Sequence, residues 1–275
     1  MQMKQRVRSW ILAVVLFVLI AIPSASYIGS AIVDNHSLPA NVRATPASFT
    51  IMTFNIHHGE GLDGKVNLNR IADLLKQQHA DVIALQEVDR YRLRSGFADQ
   101  AGELAKLLGM HMVFSPGVTY SIGEYGDAIL SRYPIELSSR TPLPGNLEPR
   151  SLLTATIRIG AMDIQIANTH LGLSAHDRSV QLTACAQELT GIQGPLVIAG
   201  DFNTPSAPQQ LAAQLNAVGI LPLGSGMTST FDGGAAIDSL LSSLPAVQPA
   251  WTVPTESSDH DPVVARLQLG SVLRV

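Results

Sequence analysis

Cysteine is nearly absent: Cys185 is the only one in 275 residues. An intrachain disulfide and a thiolate metal cluster are both excluded. Cys185 lies in an apolar helical pattern, where a thiol serves as a small buried hydrophobe. Charge is also sparse, at 15% of residues against 46% hydrophobic, which excludes a disordered chain. Cations are the scarcer sign, 18 Lys and Arg against 22 Asp and Glu. That balance disfavours a non-specific nucleic-acid binder, which normally presents a basic face. Internal repeats and low-complexity tracts are missing too.

What is present begins with an asymmetric N-terminus. Lys4, Arg6 and Arg8 precede an unbroken apolar run of thirteen residues, Trp10 to Ile22. At about 1.5 Å per helical residue the run reaches roughly 20 Å, short of a ~30 Å hydrocarbon core. Read alone, it is a signal-peptide core with Ser24-Ala25-Ser26 as the cleavage site. Extended through Ile32, it becomes long enough for an uncleaved anchor. Either way the basic flank stays cytoplasmic and the remainder is exported, to the periplasmic or extracellular side. Residues 1–32 carry three of the 18 basic residues and none of the 22 acids, so the exported part has a net charge of −7. Residues 33–48, polar with two prolines and no period, read as a linker, and 49–275 as the main globular domain.

From Phe49 onward, short apolar runs alternate with helical patterns. The pattern predicts strands at Phe49–Phe54, Val82–Gln86, Ala128–Ser131, Leu196–Ala199, Ile237–Leu241 and Val263–Leu269. It predicts a hairpin around Gly160-Ala161, flanked by the alternating residues of 153–159 and 164–166. Helices are expected after an Asn67 cap, before a Gly109 stop, over Ser179–Leu189 and over Ala207–Leu215. Helix-linked and hairpin-linked strands together mean an α/β chain with mixed sheets.

The apolar strands end oddly. Leu196-Val-Ile-Ala-Gly runs straight into Asp201-Phe-Asn203. Asn55, Glu87, and Asn168 with His170 close three other runs, Asp259-His260 precedes Asp261-Pro-Val-Val, and Asp238 interrupts Ala-Ala-Ile-Asp-Ser-Leu-Leu. Singly, each has a bland explanation: an Asx-turn at Asp201, an ion pair between Glu87 and Arg90, a turn cap at Asp259. Six runs behaving alike point instead to one shared edge, because carboxylates beside buried strands are costly unless paired or metal-bound. Carboxylate and amide oxygens suit a hard cation, Mg²⁺ first and Mn²⁺ or Ca²⁺ next. Two histidines near two further acids suit proton transfer. A cation with an acid–base pair is the equipment for hydrolysing a phosphate ester.

These stretches resemble the endonuclease/exonuclease/phosphatase superfamily of DNase I-like phosphoesterases. The matching segments are Thr53-Phe-Asn-Ile, Leu85-Gln-Glu-Val-Asp, Tyr125-Gly-Asp-Ala-Ile-Leu-Ser-Arg-Tyr-Pro-Ile, Asn168-Thr-His-Leu, Gly200-Asp-Phe-Asn-Thr, Ile237-Asp and Ser258-Asp-His-Asp-Pro-Val, in the family's order. The resemblance implies a four-layer α/β/β/α sandwich, two mixed sheets face to face with helices outside. It implies that Glu87 binds the metal, with Asn55 and Asp259 holding the metal or the groups around it. Asp201 would orient or deprotonate the attacking water, Asn203 would bind a phosphoryl oxygen, and His170 would donate to the phosphate. His260 would act as acid–base, held by Asp238. Arg150 and His57 would meet substrate, with His58 beside the cleft. Ala236 departs from the pattern, since many relatives carry a basic residue there. The expected function is an exported or membrane-anchored, Mg²⁺-dependent phosphoesterase acting on a phosphodiester or phosphomonoester, such as a lipid or inositol-phosphate head group. A secreted nuclease and an inactive membrane-tethered binding protein are the alternatives.

Overall fold

The computed structural model describes residues 32–34, 46–224, 229–232 and 234–270. The expected signal or anchor run Trp10–Ile22 lies outside the described residues, as does most of the expected linker. Among the described residues no helix is long and apolar enough to cross a membrane.

Two sheets stack face to face. The first contains β1 (Ile32–Asp34), β2 (Ser48–Asn55), β3 (Val82–Arg90), β4 (His111–Thr119), β5 (Glu124–Ser131), β12 (Trp251–Thr252) and β13 (Val263–Gln268), in the order β1-β4-β5-β3-β2-β13-β12. The second contains β6 (Ile135–Leu143), β7 (Arg150–Ile159), β8 (Met162–His170), β9 (Leu196–Asp201), β10 (Leu221–Pro222) and β11 (Asp238–Ser242), in the order β10-β11-β9-β8-β7-β6. Each sheet is mixed. Its one parallel pair, β2 with β3 or β8 with β9, is joined through a crossover helix, and the other pairs are antiparallel.

The layers follow from strand periodicity. Successive side chains point to opposite faces, so Phe49 and Ile51 enter the core between the sheets while Met52 and Phe54 pack outward against helices. The inter-sheet core also takes Val82, Val113, Ile157, Ile166 and Val197. Outside the first sheet lie α1 (Leu68–Gln77) and α2 (Gln100–Leu108), burying Ile71, Leu75 and Leu104. Outside the second lie α3 (Ala175–Thr190) and α4 (Ala207–Gln214), burying Leu182, Cys185 and Leu211. The result is the four-layer α/β/β/α sandwich.

Local chemistry sets the element ends. The Asn67 side chain accepts the backbone N–H groups of Asn69 and Arg70, and Gly109 closes α2 at φ 63°. Helix α3 starts four residues before the expected Ser179, because Ser174 caps it and accepts the Asp177 N–H. Strands β4 and β6 were not legible in the pattern. Pro116 and Gly117 break the alternation of β4, where the register shifts at a bulge, and β6 is an edge strand with a mostly solvent-facing pattern. The expected linker also contributes structure: β1 pairs antiparallel with Met112–Phe114 on the open edge of β4.

Candidate active site

The topology brings the polar strand ends to one rim. β2, β8 and β9 finish there with Asn55, His170 and Asp201. Antiparallel β7 and β11 start there with Arg150 and Asp238, and His260 stands just before β13. A buried tie between the sheets fixes this rim from below. Asn168 Nδ2 donates to the carbonyls of Leu85 and Ala128, both at 2.9 Å, and its Oδ1 accepts from Gln86 Nε2 at 2.7 Å. Asn168 is therefore a brace beneath the cluster rather than a member of it.

Asn55 is the hub. Its Nδ2 donates to Glu87 Oε1 at 3.0 Å and Asp201 Oδ2 at 3.1 Å, and lies 3.4 Å from His260 Nε2. Its Oδ1 is taken by the His57 N–H at 3.0 Å. The amide nitrogen thus organises the carboxylates, while its oxygen faces the His57 backbone. Ser258 Oγ donates to the Asn55 carbonyl at 2.8 Å and accepts the His260 N–H at 3.2 Å, which seats His260 over the hub.

Glu87 sits at a bulge in β3, between Leu85 and Val88, with φ 57°. His57, His58 and Asn203 also have φ near 50°, at 44°, 45° and 52°. Asn tolerates this left-handed region. For Glu87 it costs on the order of 1–3 kcal/mol, a strain held only where the surroundings impose it. Glu87 makes no ion pair with Arg90, which bridges Glu124 instead.

Two acid–imidazole contacts follow. His260 Nδ1 lies 2.8 Å from Asp238 Oδ2, and its Nε2 lies 3.8 Å from Asp201 Oδ2. Burial alone would lower the His260 pKa, but the hydrogen bond and charge of Asp238, with Asp201 and Asp259 behind it, raise it to about 9. Burial, and then the charge of Asp238, pushes Asp201 up to about 7. The Asp238 backbone N–H donates to Thr230 Oγ1 at 3.0 Å, while Asp238 Oδ1 is buried with no hydrogen-bond partner.

His170 is set differently. Arg150 Nη1 lies 2.8 Å from its Nδ1. A guanidinium can only donate, so Nδ1 accepts and the proton stays on Nε2, 3.4 Å from Asp201 Oδ2. Burial, followed by the charges of Arg150 and His260, holds the His170 pKa well below the usual histidine value, so the ring is neutral. Arg150 is itself buried and pairs with Glu148 at 2.9 Å. It is no surface salt bridge, and it fixes the His170 tautomer.

Asn203 makes the Asx-type turn at the rim. Its backbone N–H donates to Asp201 Oδ1 at 2.9 Å, and its Nδ2 donates to the Leu171 carbonyl at 2.8 Å. Asp259 stands at the cleft edge, 3.7 Å from His57 Nδ1, with its Oδ1 3.3 Å from Ser258 Oγ. A cleft of about 260 Å³ opens beside it, lined by Leu62, Phe231, Asp232, Ser258, Asp259 and Asp261.

The donor set fits a divalent cation. Among the described residues, His57, His58 and Glu87 form one group with ligand-type atoms within 4.8 Å of each other, and Asp201, Asp238 and His260 form another. Asn55 Nδ2 spends both hydrogens on the carboxylates of Glu87 and Asp201, and a neutral amide brings them no positive charge. His58 Nδ1 is buried without a hydrogen-bond partner, while its Nε2 lies 3.4 Å from Glu60 Oε2. That pairing leaves a lone pair on Nδ1, the arrangement a metal-ligating histidine commonly adopts. Oxygen from Glu87 and Asp259 suits Mg²⁺, and adjacent imidazoles widen the choice to Mn²⁺.

Asp127, which the Tyr125-Gly-Asp segment places near the cleft, is buried near Arg150, Glu87 and Asp201, and burial raises its pKa to about 8. Two further contributors are not legible in the sequence. Thr230 and Ser258 act through single hydroxyl contacts, which leave no pattern in a sequence.

A sequence model described as the Endonuclease/Exonuclease/phosphatase family matches residues 52–260. The chain is 30% identical over 169 residues to the uncharacterized protein YbhP of Escherichia coli K12, covering 57% of this chain and 67% of that one. An endonuclease/exonuclease/phosphatase structure from Beutenbergia cavernae superposes with a TM-score of 0.67 at 23% identity, over 82% of this chain and 73% of that one. The human Nocturnin catalytic domain, solved with a bound sulfate anion, superposes with a TM-score of 0.64 at 19% identity, over 82% and 95%.

Proposed function

Because the chain belongs to the Endonuclease/Exonuclease/phosphatase family, a family of metal-dependent phosphoesterases, we propose that it is an exported, membrane-associated, Mg²⁺-dependent hydrolase of phosphate esters carried by lipid or inositol-phosphate head groups. The observation that carries the chemistry is the convergence of Glu87, Asn55, Asp201 and the Asp238–His260 pair on one rim. Export and membrane association are supported by the basic-then-apolar N-terminal sequence. The lipid preference is supported by the charge of −7 beyond residue 32, from 15 basic residues and 22 acids. It is supported too by the acidic cleft lining of Asp232, Asp259 and Asp261, which repels a polyphosphate chain.

Glu87 and Asp259, with His57 and His58 beside them, would hold the cation. When bound, the cation neutralises charge on the phosphoryl oxygens. The residues of this chain do the rest. Asp201 Oδ2, near both imidazoles, is placed to accept a proton from water. The second amide hydrogen of Asn203, the one not donated to Leu171, is free for a phosphoryl oxygen. His170, neutral and protonated on Nε2, is a hydrogen-bond donor that brings no charge of its own. His260, kept protonated by Asp238, can deliver a proton to the leaving oxygen.

The deciding experiment is hydrolysis of a panel of phosphomonoesters, phosphodiesters, phospholipids and plasmid DNA with Mg²⁺, Mn²⁺, Ca²⁺ or chelator. Mg²⁺-dependent turnover of the lipid arm is expected. Prompt plasmid nicking that dies in Glu87→Ala and His260→Ala, with no lipid turnover, would move the assignment to a nuclease. No turnover on any arm would leave a binding protein.

A further inference from the structure

We infer that the rim carrying the active site is also the face this protein lays against a phospholipid bilayer, through an apolar platform built from two loops. The inference rests on the membrane-associated reading above. Most of the long apolar side chains of the fold are buried, yet Tyr91, Leu93, Phe97, Tyr120 and Ile122 are 40–76% exposed. They occupy two segments far apart in sequence, the loop after β3 and the turn between β4 and β5. Large exposed apolar residues gathered in one place mark an interaction surface rather than ordinary scatter.

The two segments are joined. The Arg92 guanidinium stacks 3.5 Å from the centroid of the Tyr120 ring, and its Nη1 donates to the Ile122 carbonyl at 3.1 Å. Between them the backbones are in close contact: a Cβ on Gly123, which has φ +80°, would come within 2.4 Å of the Tyr91 carbonyl oxygen. The loop is closed on itself by hydrogen bonds from Tyr91 N to Ala98 O and from Phe97 N to Arg92 O, both 2.8 Å. The platform is thus held in place before anything binds, so little ordering entropy is lost on docking. Arg92 has no carboxylate in ion-pair range among the described residues, which leaves one cation amid the apolar groups to meet lipid phosphate.

Strand register places the platform beside the site. Arg90 pairs with Glu124 and Thr119 with Glu124, so the loop after β3 and the β4–β5 turn lie at the same end of the sheet as Asn55 and Glu87. Arg94, at the centre of the loop, donates twice to Asp89 at 2.7 Å and feels the charge of Glu87. Leu137 and Leu221, two of the exposed apolar residues elsewhere on the fold, are opposite Thr156 and Ser242, toward the far ends of their strand pairs.

The basic-then-apolar N-terminal sequence, together with the direction of β1, argues for a bilayer as the occupant. Ile32 pairs with Phe114 and Asp34 with Met112, so the chain enters β1 from the side of β4 that leads to Thr119. That end lies about five residues, or roughly 17 Å, farther along β4 at ~3.3 Å per residue. The apolar run Trp10–Ile22 precedes this entry point in sequence. The entry of the chain into β1, the platform and the catalytic rim thereby face one side, the side on which a head group in the membrane surface would meet Glu87 and Asp201.

The buried Cys185 makes the test clean, since an introduced cysteine is the only accessible thiol. The full chain carrying Leu93→Cys, Ile122→Cys, Leu137→Cys or Leu221→Cys is labelled with an environment-sensitive dye. Each is reconstituted into phosphatidylcholine–phosphatidylglycerol vesicles. Emission at positions 93 and 122 is expected to shift to the blue and to be quenched at least twofold by chain-labelled quencher lipid, with 137 and 221 unchanged. Equal responses at all four positions, no response at 93 and 122, or failure to float with the vesicles overturns the docking face. Mg²⁺-dependent hydrolysis of bis(p-nitrophenyl) phosphate by the unlabelled full chain, measured without vesicles, tests the phosphoesterase reading separately. Turnover with a uniform dye response sinks the docking face alone; a selective dye response without turnover sinks the phosphoesterase reading alone.

Discussion

Asp201 and Asp238 are direct cross-strand partners, the last residue of β9 opposite the first of β11, and both are buried. Two carboxylates so placed would repel each other. His260 relieves the pair by donating from Nδ1 to Asp238 and turning Nε2 toward Asp201. Asp238 thereby acts through His260, as a positioning residue.

Asp238→Asn should therefore lower kcat by about 10⁴-fold, the loss seen when a histidine loses the acid that orients it, with little change in KM. His260→Ala should cost a similar factor. The double variant should be no worse than His260→Ala alone, because residues acting as a unit are non-additive. Steady-state kinetics on the best substrate of the panel checks this, and fully additive losses would separate the two residues.

Glu87→Gln keeps an acceptor for Asn55 Nδ2 but removes a charge from the cluster. Affinity for Mg²⁺ and Mn²⁺ should fall at least tenfold by titration calorimetry, and turnover by about 10³-fold. Chelator should abolish wild-type turnover, and added Mg²⁺ should restore it.

Gly200 precedes Asp201 where β9 lies against β8, and a Cβ there would come within 2.1 Å of the Thr169 carbonyl oxygen. Gly200→Ala should cost about 3 kcal/mol through overpacking and should displace Asp201. Urea denaturation, with activity measured in parallel, reads both effects.

Asn168→Leu strips partners from Gln86 and from the carbonyls of Leu85 and Ala128, all buried. Gln86 Nε2 keeps Thr53 Oγ1 at 3.0 Å, so at roughly 1–3 kcal/mol for each buried carbonyl that loses its donor a loss of about 2 kcal/mol or more is expected. It should appear as a lower urea midpoint at unchanged m-value.

Burial raises the Cys185 thiol to about 12, whereas an unfolded thiol titrates near ~8.5. The fold holds this proton more tightly than the unfolded chain does. The resulting stability is complete below about pH 8.5 and is lost as pH rises toward 12. Native protein at pH 8 should show no thiol reactive to a chromogenic disulfide, and denatured protein one. The alkaline stability loss should be smaller in Cys185→Ala than in wild type.

Most of the scaffold could be read from periodicity, because a buried strand or an amphipathic helix writes its face into the sequence. Asn67, Gly109 and the Gly160-Ala161 turn were legible for the same local reason. Strand β4 was not, since Pro116 and Gly117 interrupt its alternation. The site was legible as a set of polar residues ending apolar runs. Its inner wiring was not: Asn55 turning its nitrogen to the carboxylates, Arg150 fixing the His170 tautomer, and Asn168 working as a brace. Those contacts join residues 20 to 205 positions apart, and no local pattern encodes such distances.

The sequence by itself determined the alternation of strands and helices, the family and the identity of the polar residues available for chemistry. Side-chain period and hydrophobicity are local properties, and the ordered motifs preserve them. Only the tertiary structure decided which of those residues share a rim, which nitrogen of each imidazole carries a proton, and that Glu87 is held in a left-handed backbone at a bulge. These depend on burial and on contacts across two sheets, and they exist only once the sheets have packed.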